Sequence, residues 1–253
     1  MTFDVDAAAY DAFMGRYSIL LGPQLADLAG VSAGQRALDV GCGTGQLTGE
    51  LVGRLDAPSV SAVDPSPPFV AAMRDRYPDV DVQLAPAELL PFPDDSFDAA
   101  LAQLVVLFMA DPVSGLVEMA RVTRPDGVVA ACVWDHAAAG QGPLSVFWKA
   151  AREVDPTVED ESTLAGAGQG QLTELFSASG LRQVEEVVLS IGVEHRSFEE
   201  WWEPYTLGVG PAGAHVASLS VEGQAELREH CRRSLPEAPF VLSARAWAAR
   251  GLV

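Results

Sequence analysis

Between Arg36 and Gly45 a short apolar segment, Ala37-Leu38-Asp39-Val40, runs directly into three glycines at alternate positions, giving D-V-G-C-G-T-G over residues 39–45. Such a stretch fits a buried strand that turns sharply into a helix. Glycine enters left-handed backbone freely and, lacking a Cβ, lets a ligand approach the main chain. The helical pattern from Gln46 to Arg54 then offers unpaired N–H groups at its first turn. The spacing is not that of a dinucleotide fingerprint, because Gln46 stands where G-x-G-x-x-G needs its third glycine. The next apolar run, SVSAVDPS, ends on Asp64. A carboxylate at a strand tip can accept both hydroxyls of a ribose, and it can also cap the helix that follows.

Short apolar runs and helical patterns alternate through the first half of the chain. VDVQLAPAELL (80–90) and FDAALAQLVVLF (97–108) each contain a strand, Val113 to Val122 reads as a helix, and the turn RPDG (124–127) precedes a strand at 128–134. Continuously apolar strands separated by helices argue for an α/β fold with a parallel sheet and helices on both faces. The N-terminal stretch 7–29 repeats apolar residues at three- and four-residue spacing, as a helix does. After Trp134 the rhythm changes. Residues 137–180 are mostly helical in pattern, 184–194 and 240–250 read as strands, and an aromatic segment at 197–205 leads into a glycine loop and then a helix at 219–235. The two late strands fit an antiparallel pair at the sheet edge, with the intervening helices over the carboxyl ends of the strands, where ligands bind in such sheets.

Charge narrows the partners. The 253 residues carry 35 acidic and 16 basic side chains, a net charge of −19. That surface repels nucleic-acid phosphates and anionic bilayers, which leaves neither nucleic acid nor membrane as an expected partner. The longest nearly apolar run, Ala99 to Ala110, is broken by Gln103 and falls short of the ~20 residues a spanning helix needs. The first residues lack a basic region of the secretory kind. Cys42, Cys132 and Cys231 form no C-x-x-C pair, so neither a disulfide framework nor a zinc site is expected, and a cytoplasmic location follows.

Four histidines are present. His136, at the end of the fifth strand, is a candidate general base or a capping group, and His215 a candidate lid residue. His195 and His230 read as surface, and no pair has metal-ligand spacing. Phe198, Trp201, Trp202 and Tyr205 either pack a cap or give Trp202 and Tyr205 as a face for a planar acceptor. The acidic run from Glu153 to Glu161 reads as a solvated loop.

Taken together, ALDVGCGTGQLT, VSAVDPS, AELLPFPDDSFDAA and EMARVTRPDG resemble the class I S-adenosylmethionine-dependent methyltransferases, and within them the type 11 group that includes quinone-biosynthesis enzymes. The resemblance implies a Rossmann-like, seven-stranded, mostly parallel sheet with a helical cap. The cap would comprise residues 1–30 and 137–238, the latter with one strand near 183–194. The cofactor core would span 31–136, and 239–253 would be the last strand. It further implies S-adenosyl-L-methionine as cofactor and a small-molecule acceptor, in a monomer or homodimer. Asp39, Gly41, Cys42, Gly43 and Gly45 would hold the methionine and ribose side, Asp64 the ribose hydroxyls, and Pro65 or Ser66 the adenine. Gln103 and Leu104 would line the methionine moiety, and Tyr10, Met14 and Arg16 would close over it, with Arg16 on the carboxylate. Where the family has an Asp-Ala pair against the adenine, this chain has Pro86-Ala87, leaving the Ala87 N–H and Glu88 as its contacts. Two other readings stand beside this one: a cofactor-binding module without turnover, and a nicotinamide-dependent oxidoreductase, which the glycine spacing disfavours.

Overall fold

A computed structural model describes residues 7–137 and 140–253; residues 1–6 of the expected N-terminal cap, and 138 and 139 of the second cap segment, lie outside the described residues. The strands are β1 (Ala37–Val40), β2 (Val60–Asp64), β3 (Asp81–Leu84), β4 (Phe97–Gln103), β5 (Thr123–Trp134), β6 (Arg182–His195) and β7 (Phe240–Leu252). They form one seven-stranded sheet in the order β3-β2-β1-β4-β5-β7-β6. β1 pairs in parallel with β2 and with β4, while β7 runs antiparallel to both β5 and β6. The chain therefore builds outward in one direction from β1 and then returns to build in the other. That reversal opens a crevice above the carboxyl ends of β1 and β4.

Ten α-helical segments surround the sheet among the described residues: α1 (Ala7–Tyr10), α2 (Arg16–Leu28), α3 (Gln46–Leu55), α4 (Pro67–Arg76), α5 (Pro112–Val122), α6 (Ser145–Val154), α7 (Gln171–Ala178), α8 (Phe198–Trp202), α9 (Gly210–Ser218) and α10 (Val221–Ser234). Alternate residues of the central strands feed opposite cores, as period-two geometry demands. Ala99 and Leu101 join a cluster with Leu21 and Leu25 of α2, Leu51 of α3 and Met73 of α4. Ala100 and Ala102 join the other, with Leu116 and Met119 of α5 and Leu172 and Phe176 of α7.

Several expectations change here. α7 packs against α5 and the sheet instead of capping the strand ends, because Leu172 and Phe176 are its buried face. The RPDG turn is a bulge: Phe97 pairs with Thr123 and Ala99 with Val128, so the residues between loop out, with Asp126 at φ 60°. The expected glycine loop after Tyr205 becomes α9 from Gly210 onward, with Pro211 in the first turn where its missing N–H costs little. His195 is buried, not superficial. Its Nε2 lies 3.1 Å from the Tyr17 hydroxyl and its Nδ1 3.3 Å from Arg16, and burial pushes its pKa down to about 4. This contact ties the N-terminal helix to β6. No helix among the described residues is long and apolar enough to cross a membrane.

Leu101 sits fully buried at the centre of β4. Replacing it with Ala should destabilise the protein by about 2–5 kcal/mol, read as a lower urea midpoint at unchanged slope.

Candidate active site

The crevice above β1, β2 and β4 holds a cavity of about 590 Å³. Its floor is the glycine turn. Gly41 and Cys42 both donate their N–H to the Val63 carbonyl, at 2.8 and 2.9 Å, which folds the turn back over β2. The three glycines serve different needs. A Cβ on Gly41 would strike Val105, and one on Gly45 would strike Met73 and Tyr77, so these two are demanded by packing. Gly43, at φ 52°, has nothing within 4 Å of where its Cβ would be. Its open side faces the cavity that it lines.

Asp64 closes the β2 side. Its two carboxylate oxygens accept from the Gly43 N–H at 2.9 Å and the Ser66 N–H at 2.8 Å. Each oxygen retains a lone pair for a ligand hydroxyl. Burial raises the Asp64 pKa above the ordinary carboxylate range, and the two N–H bonds only partly offset it. Asp39, deeper in the turn, accepts from Thr48 at 2.6 Å. Burial pushes its pKa up to about 7 against that hydrogen bond, and the charge of Asp64 adds to the rise. At the tip of β4, Gln103 donates to the Ser18 carbonyl at 3.0 Å, while its Oε1 is buried without a partner. Leu104 next to it sits in left-handed backbone, φ 64°. Such strain in a branched residue is held in place by its surroundings and collects at functional sites.

Among the described residues the charged side chains of the cavity wall are Asp64 and Glu88, with neither Lys nor Arg. Beside the Tyr10 and Ser66 hydroxyls, its polar side chains are thus weighted toward acceptors: the deep carboxylate of Asp64, the half-buried one of Glu88 and the unpartnered amide oxygen of Gln103. A ligand that fits must bring donors and positive charge. S-adenosyl-L-methionine does so, with a sulfonium, an ammonium and two ribose hydroxyls. A pyrophosphate-bearing nicotinamide cofactor would meet carboxylates with no cation to neutralise it.

The structure brings most of the expected residues together. Tyr10, Gly41, Gly43, Asp64, Pro65, Ala87, Glu88, Gln103 and Leu104 line the cavity, and Asp39 and Cys42 line a small annex beneath it. Tyr10 packs on Phe69 at 5.4 Å between ring centres. Glu88 lines the wall, but its Oε1 is engaged by the Ala110 N–H at 2.7 Å and the Asp111 N–H at 3.2 Å, fixing the loop above. Gly45 and Arg16 are not in the wall. Arg16 turns toward His195 and lies 3.5 Å from Glu200. The arginine at the glycine turn is instead Arg76, which donates to the Thr44 carbonyl at 2.5 Å and pairs with Asp11 at 2.9 Å. Asp11, which also receives the Thr44 hydroxyl and the Gln46 amide, clamps the N-terminal segment to this turn. It lies in a π-helical turn, Asp11–Gly15, a conformation common at functional sites.

A second chamber, of about 40 Å³, shares Tyr10, Leu104 and Phe108 with the first cavity. Met14 belongs to this chamber, as do Trp134, His136 and Glu161. Trp202, Tyr205 and His215 are brought to neither. Tyr205 stacks on Phe147 at 4.6 Å, Trp202 stacks on Phe198 at 6.2 Å, and His215 lies 5.9 Å from Trp148. These rings pack the cap. Glu161 is the residue that the sequence hid: it ends an acidic run, yet it is 4% exposed.

Residues 38–131 match the family model described as "Methyltransferase domain". By sequence, this stretch is a methyltransferase domain. Over 106 residues it is 41% identical to an uncharacterised methyltransferase of Mycobacterium tuberculosis, covering 42% of each chain. Over 104 residues it is 38% identical to the ubiquinone/menaquinone biosynthesis C-methyltransferase of Geobacter sulfurreducens, covering 38% of this chain and 40% of that one. The chain thus spans about two-fifths of the length of the curated relatives it matches. The whole fold extends further: the crystal structure of the YcgJ protein of Bacillus subtilis superposes with a TM-score of 0.59 at 21% identity, over 93% of this chain and 97% of that one.

Two variants test the methyltransferase site. Gly43→Ala should remain folded, at a cost of about 1–2 kcal/mol for left-handed backbone, yet lose S-adenosylhomocysteine binding because its methyl fills the cradle. Asp39→Asn should show the sign of the buried charge. Native Asp39 keeps its proton up to about pH 7, so its contribution to stability is present at low pH and lost as pH rises to that value. Urea unfolding of the unliganded variant should therefore gain on the wild type between about pH 4 and 7 and level off above.

Proposed function

We propose that this chain is an S-adenosylmethionine-dependent methyltransferase that acts on a small-molecule acceptor. The observation that carries the reading is the cavity wall, whose charged side chains among the described residues are both carboxylates, with neither Lys nor Arg. Asp64 would take the ribose hydroxyls, Gln103 Oε1 the ammonium, and Asp39 would balance the positive charge of the methionine end. S-adenosylmethionine, when bound, supplies a methyl group on sulfur that a nucleophile displaces in line. The protein's own work is positioning and the exclusion of water, for which alignment alone supplies up to about 7–11 kcal/mol. Tyr10, Leu104 and Phe108, common to both chambers, would hold the reacting centres across the shared wall.

The small acceptor is supported by the narrow, largely apolar second chamber and by the quinone-pathway relative. The cap would consist of the N-terminal segment with α6 and α8 to α10. The acidic surface supports a chain without nucleic-acid or membrane partners, placed in the cytoplasm as a monomer or homodimer. Calorimetric titration with S-adenosylmethionine, S-adenosylhomocysteine and NADH checks the reading. Micromolar binding of the first two, with none of NADH, is expected. Asp64→Ala should weaken S-adenosylhomocysteine by about 1–3 kcal/mol, and a protein that binds neither sulfur nucleoside would end the proposal.

A further inference from the structure

Glu161 is buried in the wall of the inner chamber, in a place where an amide would serve as well structurally. Its Oε2 accepts the Trp148 indole N–H at 2.5 Å, while no hydrogen bond to Oε1 is made among the described residues. Among the described residues no Lys or Arg forms an ion pair with it. Arg152, one turn along α6 from Trp148, is committed to Asp160. A buried carboxylate with one neutral donor is expensive, and a glutamine would take the same N–H without the charge. The remaining walls of the chamber are largely apolar: Phe13, Met14, Leu107, Phe108 and Leu144 among them.

His136 stands beside it. Its Nδ1 is 3.9 Å from Glu161 Oε2, and both side chains are 5% exposed. His136 lines the inner chamber and also an outer pocket of about 280 Å³ that Ser145, Lys149, Arg152 and Asp160 border. The imidazole thus forms the partition between the reacting centre and a polar opening.

We propose that Glu161 is the catalytic base of this site, taking the proton of a hydroxyl on an otherwise apolar acceptor, and that His136 passes that proton to the outer pocket. The inference rests on the methyl-transfer reading above. In the step, the acceptor O–H breaks and its proton goes to Glu161. The oxygen forms a bond to the methyl carbon as the carbon–sulfur bond breaks, and that electron pair stays on sulfur, which becomes neutral. The proton then leaves through His136 to solvent, restoring the carboxylate. Burial pushes Glu161 up to about 7, the Trp148 bond opposes this, and the charge of Asp160 adds to it. His136 is pushed down to about 4 by burial, so it is neutral at working pH and relays the proton in concert, one ring nitrogen taking it as the other releases its own. The titratable groups facing Glu161 are His136 from the end of β5, Asp160 with its partner Arg152 of α6, and Tyr205 of the turn after α8. A base with a pKa near the working pH is the most effective kind. The chamber admits only the reacting end of such an acceptor. Its body must displace the wall at Val209–Pro211, where Gly208 and Gly210 lie at φ 72° and 63°.

The probe is 2-naphthol, compared with 2-methoxynaphthalene, titrated into protein saturated with S-adenosylhomocysteine between about pH 5.5 and 8.5, a range that spans the carboxyl titration. Naphthol affinity should rise about tenfold or more as the carboxylate forms, since a hydrogen bond to a charged acceptor is a strong one. The methoxy compound should show no such rise. In Glu161→Gln the rise should vanish, with S-adenosylhomocysteine affinity kept, and in Trp148→Phe its midpoint should move to higher pH. Equal pH profiles for the two naphthalenes, the same rise in Glu161→Gln, or no naphthol binding by the loaded wild type would each overturn the proposal. Failure of the wild type to bind S-adenosylhomocysteine is a different result and refutes the methyl-transfer reading itself.

Discussion

The site depends on a charge problem set by the sheet. Reversal of strand order between β1 and β4 leaves the ends of three strands open, and the chain places Asp39 and Asp64 there without a basic partner. Thr48 and two backbone N–H groups hold these carboxylates, which is enough to orient them and too little to neutralise them. Burial of the two carboxylates therefore carries an electrostatic cost that these hydrogen bonds only partly offset, and any ligand that bound only the folded form would add to stability by mass action.

The N-terminal segment completes this arrangement by a separate device. Asp11 reaches the Thr44 hydroxyl, Gln46 and Arg76, so the strand–turn–helix unit that lines the cavity is also the anchor of the N-terminal segment. Farther along, Tyr17 and Arg16 meet His195 of β6. The two ends of this helical stretch are thus fastened to opposite flanks of the crevice, and Tyr10, immediately before Asp11, walls both chambers.

The sheet, its helices and the cofactor side were legible because they are written in local pattern: apolar runs, glycine spacing and an acid at a strand tip. Gly41, Gly43, Asp64, Gln103 and Leu104 all stood in such patterns, and the structure brings them to one cavity. The acceptor side was not legible. Glu161 lies in an acidic run that composition assigns to solvent, and only the packing of α6 above it, through Trp148, takes it indoors. Conversely, the aromatic cluster at 198–205 looked like a binding face, but those rings satisfy one another within the cap. His195 was misplaced for a related reason: a long strand partner, β7, and the helix α2 cover it, and neither is near it in sequence. α7 shows the limit of helical periodicity, which marks an apolar stripe without telling which surface the stripe will meet.

The outer pocket has one more property. The sequence contains a single lysine, Lys149, and it borders that opening on an exposed face of α6. Every other basic side chain apart from the histidines is a guanidinium, which resists acylation. An amine-directed reagent would therefore find, besides the chain's own amino terminus, one attachment point, at the rim of the pocket on the far side of His136. A fluorophore fixed there would report on occupancy of the chamber behind it without a residue being changed.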